Sequence, residues 1–147
     1  MKRKWLFIGV AIASVFQFSF ERFWQGVFTG PYTAIKAVEQ TSDQTLFSFF
    51  SHVAFAFVVG FFYLHVHDNR RSTRTGATIG AILGFLIGSA RTLDWYASFK
   101  VFWSVLPMEI LKTTAIGIIC GVTISLVELK TNPRLNPGAI KDSPYSK

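Results

Sequence analysis

The sequence predicts an all-α polytopic membrane protein. It reads as a four-transmembrane-helix bundle with small-xxx-small packing and with both termini cytoplasmic. Three observations predict this. Half of the 147 residues are hydrophobic and only 16% are charged, against about 25% charged in an ordinary soluble domain. The apolar residues fall in four long runs with few charges inside them. Each run carries a small or polar residue at every fourth position. Alternation of period two, the mark of a membrane β-barrel, is absent. A single cysteine, Cys120, excludes an internal disulfide.

A helix needs about 20 residues at ~1.5 Å each to cross the hydrocarbon core. The expected transmembrane domain covers 1–129, with helices near 5–28, 44–64, 75–95 and 108–128. The first run is uncharged from Trp5 to Phe20 behind Lys2-Arg3-Lys4. Those lysines and the small residues Ala11 and Ala13 also fit a cleaved signal peptide. The apolar stretch ahead of them is short, however, and hydrophobicity continues past them, so a retained helix is expected. The second run, Gln44 to Leu64, is long enough by itself. The third runs from Thr75 to Ala90 and is expected to continue past Arg91. After the aromatic break Asp94-Trp95-Tyr96, the residues Phe99, Phe102, Trp103 and Leu106 share a helical face. That pattern predicts a short interfacial helix over 97–106, ended by Pro107. The fourth run, Met108 to Val127, is interrupted only by Glu109 and Lys112. The Pro-rich segment 130–147 is expected to be a disordered cytoplasmic tail.

Orientation follows from lysine and arginine in short loops. The two termini and the loop after the second run hold ten of them, and the opposite side holds five. With the acidic residues included, the first side nets +7 and the second nets zero. The charge that elsewhere points to nucleic acid is thus absorbed by topology, and no nucleic-acid partner is expected. The expected partners are the lipid bilayer and, through one ladder, a second copy or another membrane protein.

The four-residue ladders are the most informative pattern. They are Gly9, Ala13, Gln17, Glu21; Ser48, His52, Ala56, Gly60; Gly76, Gly80, Gly84, Gly88; and Thr113, Gly117, Gly121, Ser125. Small residues at this spacing let backbones approach where lipid gives helices little hydrophobic reason to associate. The third and fourth helices are therefore expected to pack closely through Gly76, Gly80, Gly84, Gly88, Gly117 and Gly121.

The polar rungs gather toward the outer end. Gln17, Glu21, Ser48, His52, Arg91, Glu109 and Thr113 form the candidate cluster, with Lys112 beside it. Ionisable groups at this depth must pair or reach water. One reading is a set of structural pairs, for instance Arg91 with Glu109 or Glu21. The other is a small outward-facing cavity for an ion, proton or small ligand. Glu21, His52 and Glu109 have the chemistry of a divalent-cation site but no diagnostic spacing. His65, His67 and Asp68 form a second, weaker metal candidate without a four-ligand frame. No metal and no cofactor is the expectation. Enzyme motifs such as HExxH, GxSxG or a phosphate-binding glycine loop are absent. Cys120 lies mid-run, away from any base in sequence.

The glycine ladder of the third run, the break at Asp94-Trp95-Tyr96 and the glycine-rich last helix resemble the small four-helix inner-membrane proteins of bacteria. The resemblance covers roughly Trp5 to Leu129. It implies the inner membrane as location and implies no catalytic residue. The polar first loop, Thr29 to Thr45, and the long tail depart from that pattern. The function expected is a non-enzymatic structural or modulatory bundle. The alternative is a small transporter or channel component using the outer cluster. A membrane-embedded enzyme working through Glu21, His52 or Glu109 is a third reading.

Overall fold

The computed structural model of the chain describes residues 4–27, 42–66, 71–99 and 105–131. They form four helices: α1 (Lys4–Val27), α2 (Ser42–Leu64), α3 (Thr73–Phe99) and α4 (Val105–Thr131). Each contains a stretch of 20 to 26 residues long and apolar enough to cross a membrane. Their lipid-type faces are bare: Phe47, Phe50, Phe61, Phe7 and Leu86 are among the large apolar side chains left exposed. A water-soluble fold of this size rarely presents such contiguous apolar surface.

The helices alternate in direction, so the bundle has two ends. At the loop end α1 passes to α2 and α3 passes to α4. At the terminal end α1 begins, α2 passes to α3, and α4 finishes. The central element is α4, which packs on all three others. Its contact with α3 is the most extensive, followed by α1 on α4 and α1 on α2.

The α3–α4 contact is made by glycine backbones. A Cβ built on Gly80 would fall on the Gly117 carbonyl, and one on Gly117 would fall on the Gly80 carbonyl. Gly76 and Gly121 stand in the same reciprocal relation, while Gly84 and Gly88 face Thr113. Side chains here would force the helices apart, so the glycines set the interaxial distance. On the opposite flank, Trp5, Val10, Ala13, Ala56, Val59, Tyr63, Cys120 and Ile124 form one buried cluster between α1, α2 and α4.

Local chemistry explains the ends. Ser72 caps α3: its Oγ accepts from the Thr75 amide at 3.1 Å, and the Gly76 amide donates to its carbonyl at 3.0 Å. The last turn of α2 tightens, with the His65 and Val66 amides donating to Phe62 and Tyr63 carbonyls. Mid-helix hydroxyls bond back to their own helix. Ser14 donates to the Val10 carbonyl, Thr114 to Ile110 and Thr123 to Ile119, each at 2.7 or 2.8 Å. None of these three needs a partner on another helix.

The separate interfacial helix expected over 97–106 is corrected at both edges. Residues 97–99 are the last turn of α3, and Leu106 belongs to α4. The sequence Asp94-Trp95-Tyr96 holds neither Pro nor Gly, so nothing there stops a helix. Pro107 falls in the first turn of α4, where a missing N–H leaves no hydrogen bond unmade. It opens a helix instead of closing one. Residues 100–104, the first loop at 28–41 and the tail from 132 onward lie outside the described residues, and so does the tail's expected disorder. Lys130 and Thr131, assigned to that tail, are helical.

Candidate functional site

The loop end brings together ionisable groups from α1, α2 and α4. The ladder spacing sets this up: Glu21 is the last rung of α1, while Ser48 and His52 are the first rungs of α2. Antiparallel packing puts those rungs at one height. Glu21 Oε2 accepts from His52 Nε2 at 2.7 Å and from Ser48 Oγ at 3.3 Å. An ionised carboxylate can only accept, so Nε2 is the protonated ring nitrogen facing it. Lys112 Nζ lies 2.7 Å from Glu109 Oε2 and 3.9 Å from Glu21 Oε1. Lysine three residues after glutamate shares a helical face with it.

These groups are mostly buried. His52 and Lys112 belong to the buried polar set, and Glu21 and Glu109 are partly covered. The His52 ring packs edge-on against Phe18, which also meets the Phe49 ring and the Arg22 guanidinium, the latter 5.1 Å from its centroid. Arg22 in turn donates to Thr45 Oγ1 at 3.1 Å, tying α1 to the start of α2.

Beside the cluster is a half-open cavity of about 140 Å³. Glu21, His52, Arg91, Lys112 and Thr113 line it, with Phe55, Ile87 and Ile116 as apolar walls. That volume holds four or five waters at ~30 Å³ each, or a ligand of about six heavy atoms. Arg91 lies on the exposed rim, within electrostatic reach of Glu21.

Of the residues singled out from the sequence, Glu21, Ser48, His52, Glu109, Arg91 and Thr113 all stand at this end. Thr113 spends its hydroxyl on its own helix, donating to the Glu109 and Ile110 carbonyls. Gln17 stands apart, one turn deeper beside the Cys120 thiol. It is fully buried, and among the described residues neither amide atom has a hydrogen-bond partner. Lys112, which the expected pairs left out, lies within ion-pair distance of both carboxylates, and Arg91 is in electrostatic contact with Glu21. Lys112 also corrects the Glu21–His52–Glu109 metal set. Its ammonium lies between the two carboxylates, and among the described residues no three His, Cys, Asp or Glu side chains group as metal ligands. Of the second set, His65 is exposed and its Nδ1 meets the Phe61 carbonyl at 2.8 Å. His67 and Asp68 lie outside the described residues.

The terminal end holds a pair that sequence reasoning missed. Glu128 is fully buried and accepts from Arg71 Nη1 at 2.7 Å. Arg71 also donates to the Leu64 carbonyl at 2.6 Å and the Val66 carbonyl at 3.0 Å, capping α2. The buried Tyr63 is in electrostatic contact with both charges. Counting Arg71 and Glu128 as loop charges hid them. The available signal was face: Glu128 follows Gly121, Ile124 and Ser125 on the inward side of α4.

Comparisons with protein-family models, with curated proteins and with solved structures found no match. Function must therefore be read from this geometry.

Proposed function

We propose that the chain is an integral membrane protein with four spans, seated in a bacterial inner membrane with both termini cytoplasmic. It acts without catalysis, as a structural or modulatory bundle that works on its surroundings through lipid and through contact with itself or another membrane protein. One observation carries the closed-bundle reading. Below the polar cluster the core is sealed by Ala13, Ala56, Val59, Cys120 and Ile124, all with no exposed surface. The Arg71–Glu128 pair closes the far end. The fully buried polar side chains at that depth are Ser14, Gln17 and Ser125, of which both serines bond to their own helices, so the layer holds no charged group between Glu21 and Glu128.

The test is flux. Full-length protein in proteoliposomes should pass protons, K⁺ and a small organic anion no faster than protein-free vesicles. A flux that scales with protein content and falls in Glu21→Gln would overturn the closed reading. A second reading, a small transporter component that loads from the loop end, draws on the half-open cavity beside Glu21 and His52. It calls for a further conformation in which the apolar layer parts. Cysteine labelling of the tail checks the topology: labelling from the periplasmic side alone would reverse it.

A further inference from the structure

An open apolar groove of about 450 Å³ runs along α4 on the side flanked by α1. Its two ends differ. One end is Phe16 of α1 with Ile118 and Ile119 of α4. Ile118 and Ile119 are the middle pair of the α4 span, Leu106–Thr131. The other end is Lys130, in the last turn of α4. Twelve residues separate Ile118 from Lys130, a rise of ~18 Å. Half of a hydrocarbon core is about 15 Å. The groove is thus one leaflet deep: it opens at headgroup level and stops at mid-span. Its lining makes no polar demand before Lys130. The Thr123 hydroxyl, the other polar side-chain group there, donates to the Ile119 carbonyl of its own helix at 2.8 Å. At the mouth the exposed charge is of one sign. Lys4, Arg74 and Lys130 are exposed at the terminal end, and the one carboxylate among the described residues there, Glu128, is fully buried and taken by Arg71.

We infer that this groove holds one acyl chain of an anionic phospholipid, with the headgroup phosphate on Lys130. Depth and charge both select that occupant. A lipid tail reaches from the headgroups to the bilayer middle, the same interval that separates Lys130 from Phe16. A helix of a second copy needs a seat along the whole span, and the groove supplies half of one. The lysine stem lies along apolar surface and carries its ammonium to the headgroup layer, where anionic lipid attracts it. This inference rests on the four-span reading above.

The test uses the full chain in detergent micelles, as wild type, Lys130→Gln and Leu126→Trp. Lys130 and Leu126 are both exposed, so neither replacement touches the core. The tryptophan fills the groove, and the glutamine removes the charge at its mouth. Each protein is titrated with phosphatidylglycerol and with phosphatidylcholine, and native mass spectra and thermal unfolding are recorded. Wild type should retain one phosphatidylglycerol per chain, saturably, and hold it about fivefold more tightly than phosphatidylcholine, the worth of one lysine against an anionic headgroup. Lys130→Gln should erase that preference. Leu126→Trp should weaken both lipids while melting as wild type does. Equal affinity for the two lipids in wild type, an unchanged preference in Lys130→Gln, or wild-type binding in Leu126→Trp overturns the inference. So does a dimer that Leu126→Trp abolishes, which would put a second copy in the groove. The same preparations are reconstituted and tested for resistance to carbonate extraction. Extraction would sink the membrane reading, whereas an inserted, folded protein without a saturable lipid sinks the groove inference alone.

Discussion

At the terminal end, Glu128 has no exposed surface and accepts from Arg71 Nη1, while Arg71 Nη2 and Nε donate to the carbonyls of Leu64 and Val66. At the loop end, Glu21 keeps 15% of its side chain exposed and is shared among an imidazole, a hydroxyl and an ammonium, beside a cavity. Both ends bury a carboxylate against a cation, yet the two arrangements differ in what removal would leave behind. Without Glu128, Arg71 faces an apolar interior with one arm empty. Without the charge on Glu21, Lys112 still has Glu109, and His52 stands beside a half-open cavity. A buried ion pair with one member removed is far more damaging than a wetted cluster that loses one of several charges. The terminal end therefore reads as a lock, and the loop end as a place with room to exchange partners.

The sharpest way to break this contrast is Glu128→Ala. It should destabilise the bundle by about 3–5 kcal/mol, as expected when one partner of a buried pair is lost. Unfolding in a denaturing-detergent titration measures it, and a change under about 1 kcal/mol would reduce the lock to an ordinary surface pair. Next in size is Gly84→Ala, at the wall shared by the cavity and the α3–α4 contact, where a Cβ would press on the Thr113 carbonyl. About 1–3 kcal/mol of destabilisation is expected from overpacking. A variant as stable as the parent would remove close glycine contact as the basis of this interface. Glu21→Gln should cost about 1 kcal/mol or less, since an amide still accepts from His52 and Ser48. Membrane insertion should be unchanged. Loss of folding in detergent would make the loop end a lock too, and erase the contrast. Smallest of all, Arg91→Gln should shift the melting midpoint by no more than about 0.5 kcal/mol equivalent, as for most exposed positions.

Much of the fold is legible in the sequence because its signals are long and redundant. Four apolar runs announce four helices. The glycine repeat of the third run finds its partner because Gly117 and Gly121 repeat at the same spacing. Meeting of Glu21 with Ser48 and His52 follows from ladders read in opposite directions. What was not legible depended on a single turn or a single face. Pro107 is compatible with ending one helix or opening another, and only the chain before it decides. Arg71 and Glu128 are 57 residues apart, and their local sequence resembles any basic loop and any helix end. Lys112 meets Glu109 because of its register on the same helix, a distinction of one helical step.

The reach of Arg71 has a consequence for how the chain is made. Its bonds to Leu64 and Val66 are local, reaching back seven and five residues. Its bond to Glu128 waits for the last helix to emerge and seat. A chain stopped before Glu128 would carry an arginine with its strongest counter-charge missing at the end of an otherwise apolar hairpin. In such a fragment α2 keeps its C-terminal cap from Arg71 but lacks the bond that ties this end to α4, so seating of α4 is what fixes the terminal end.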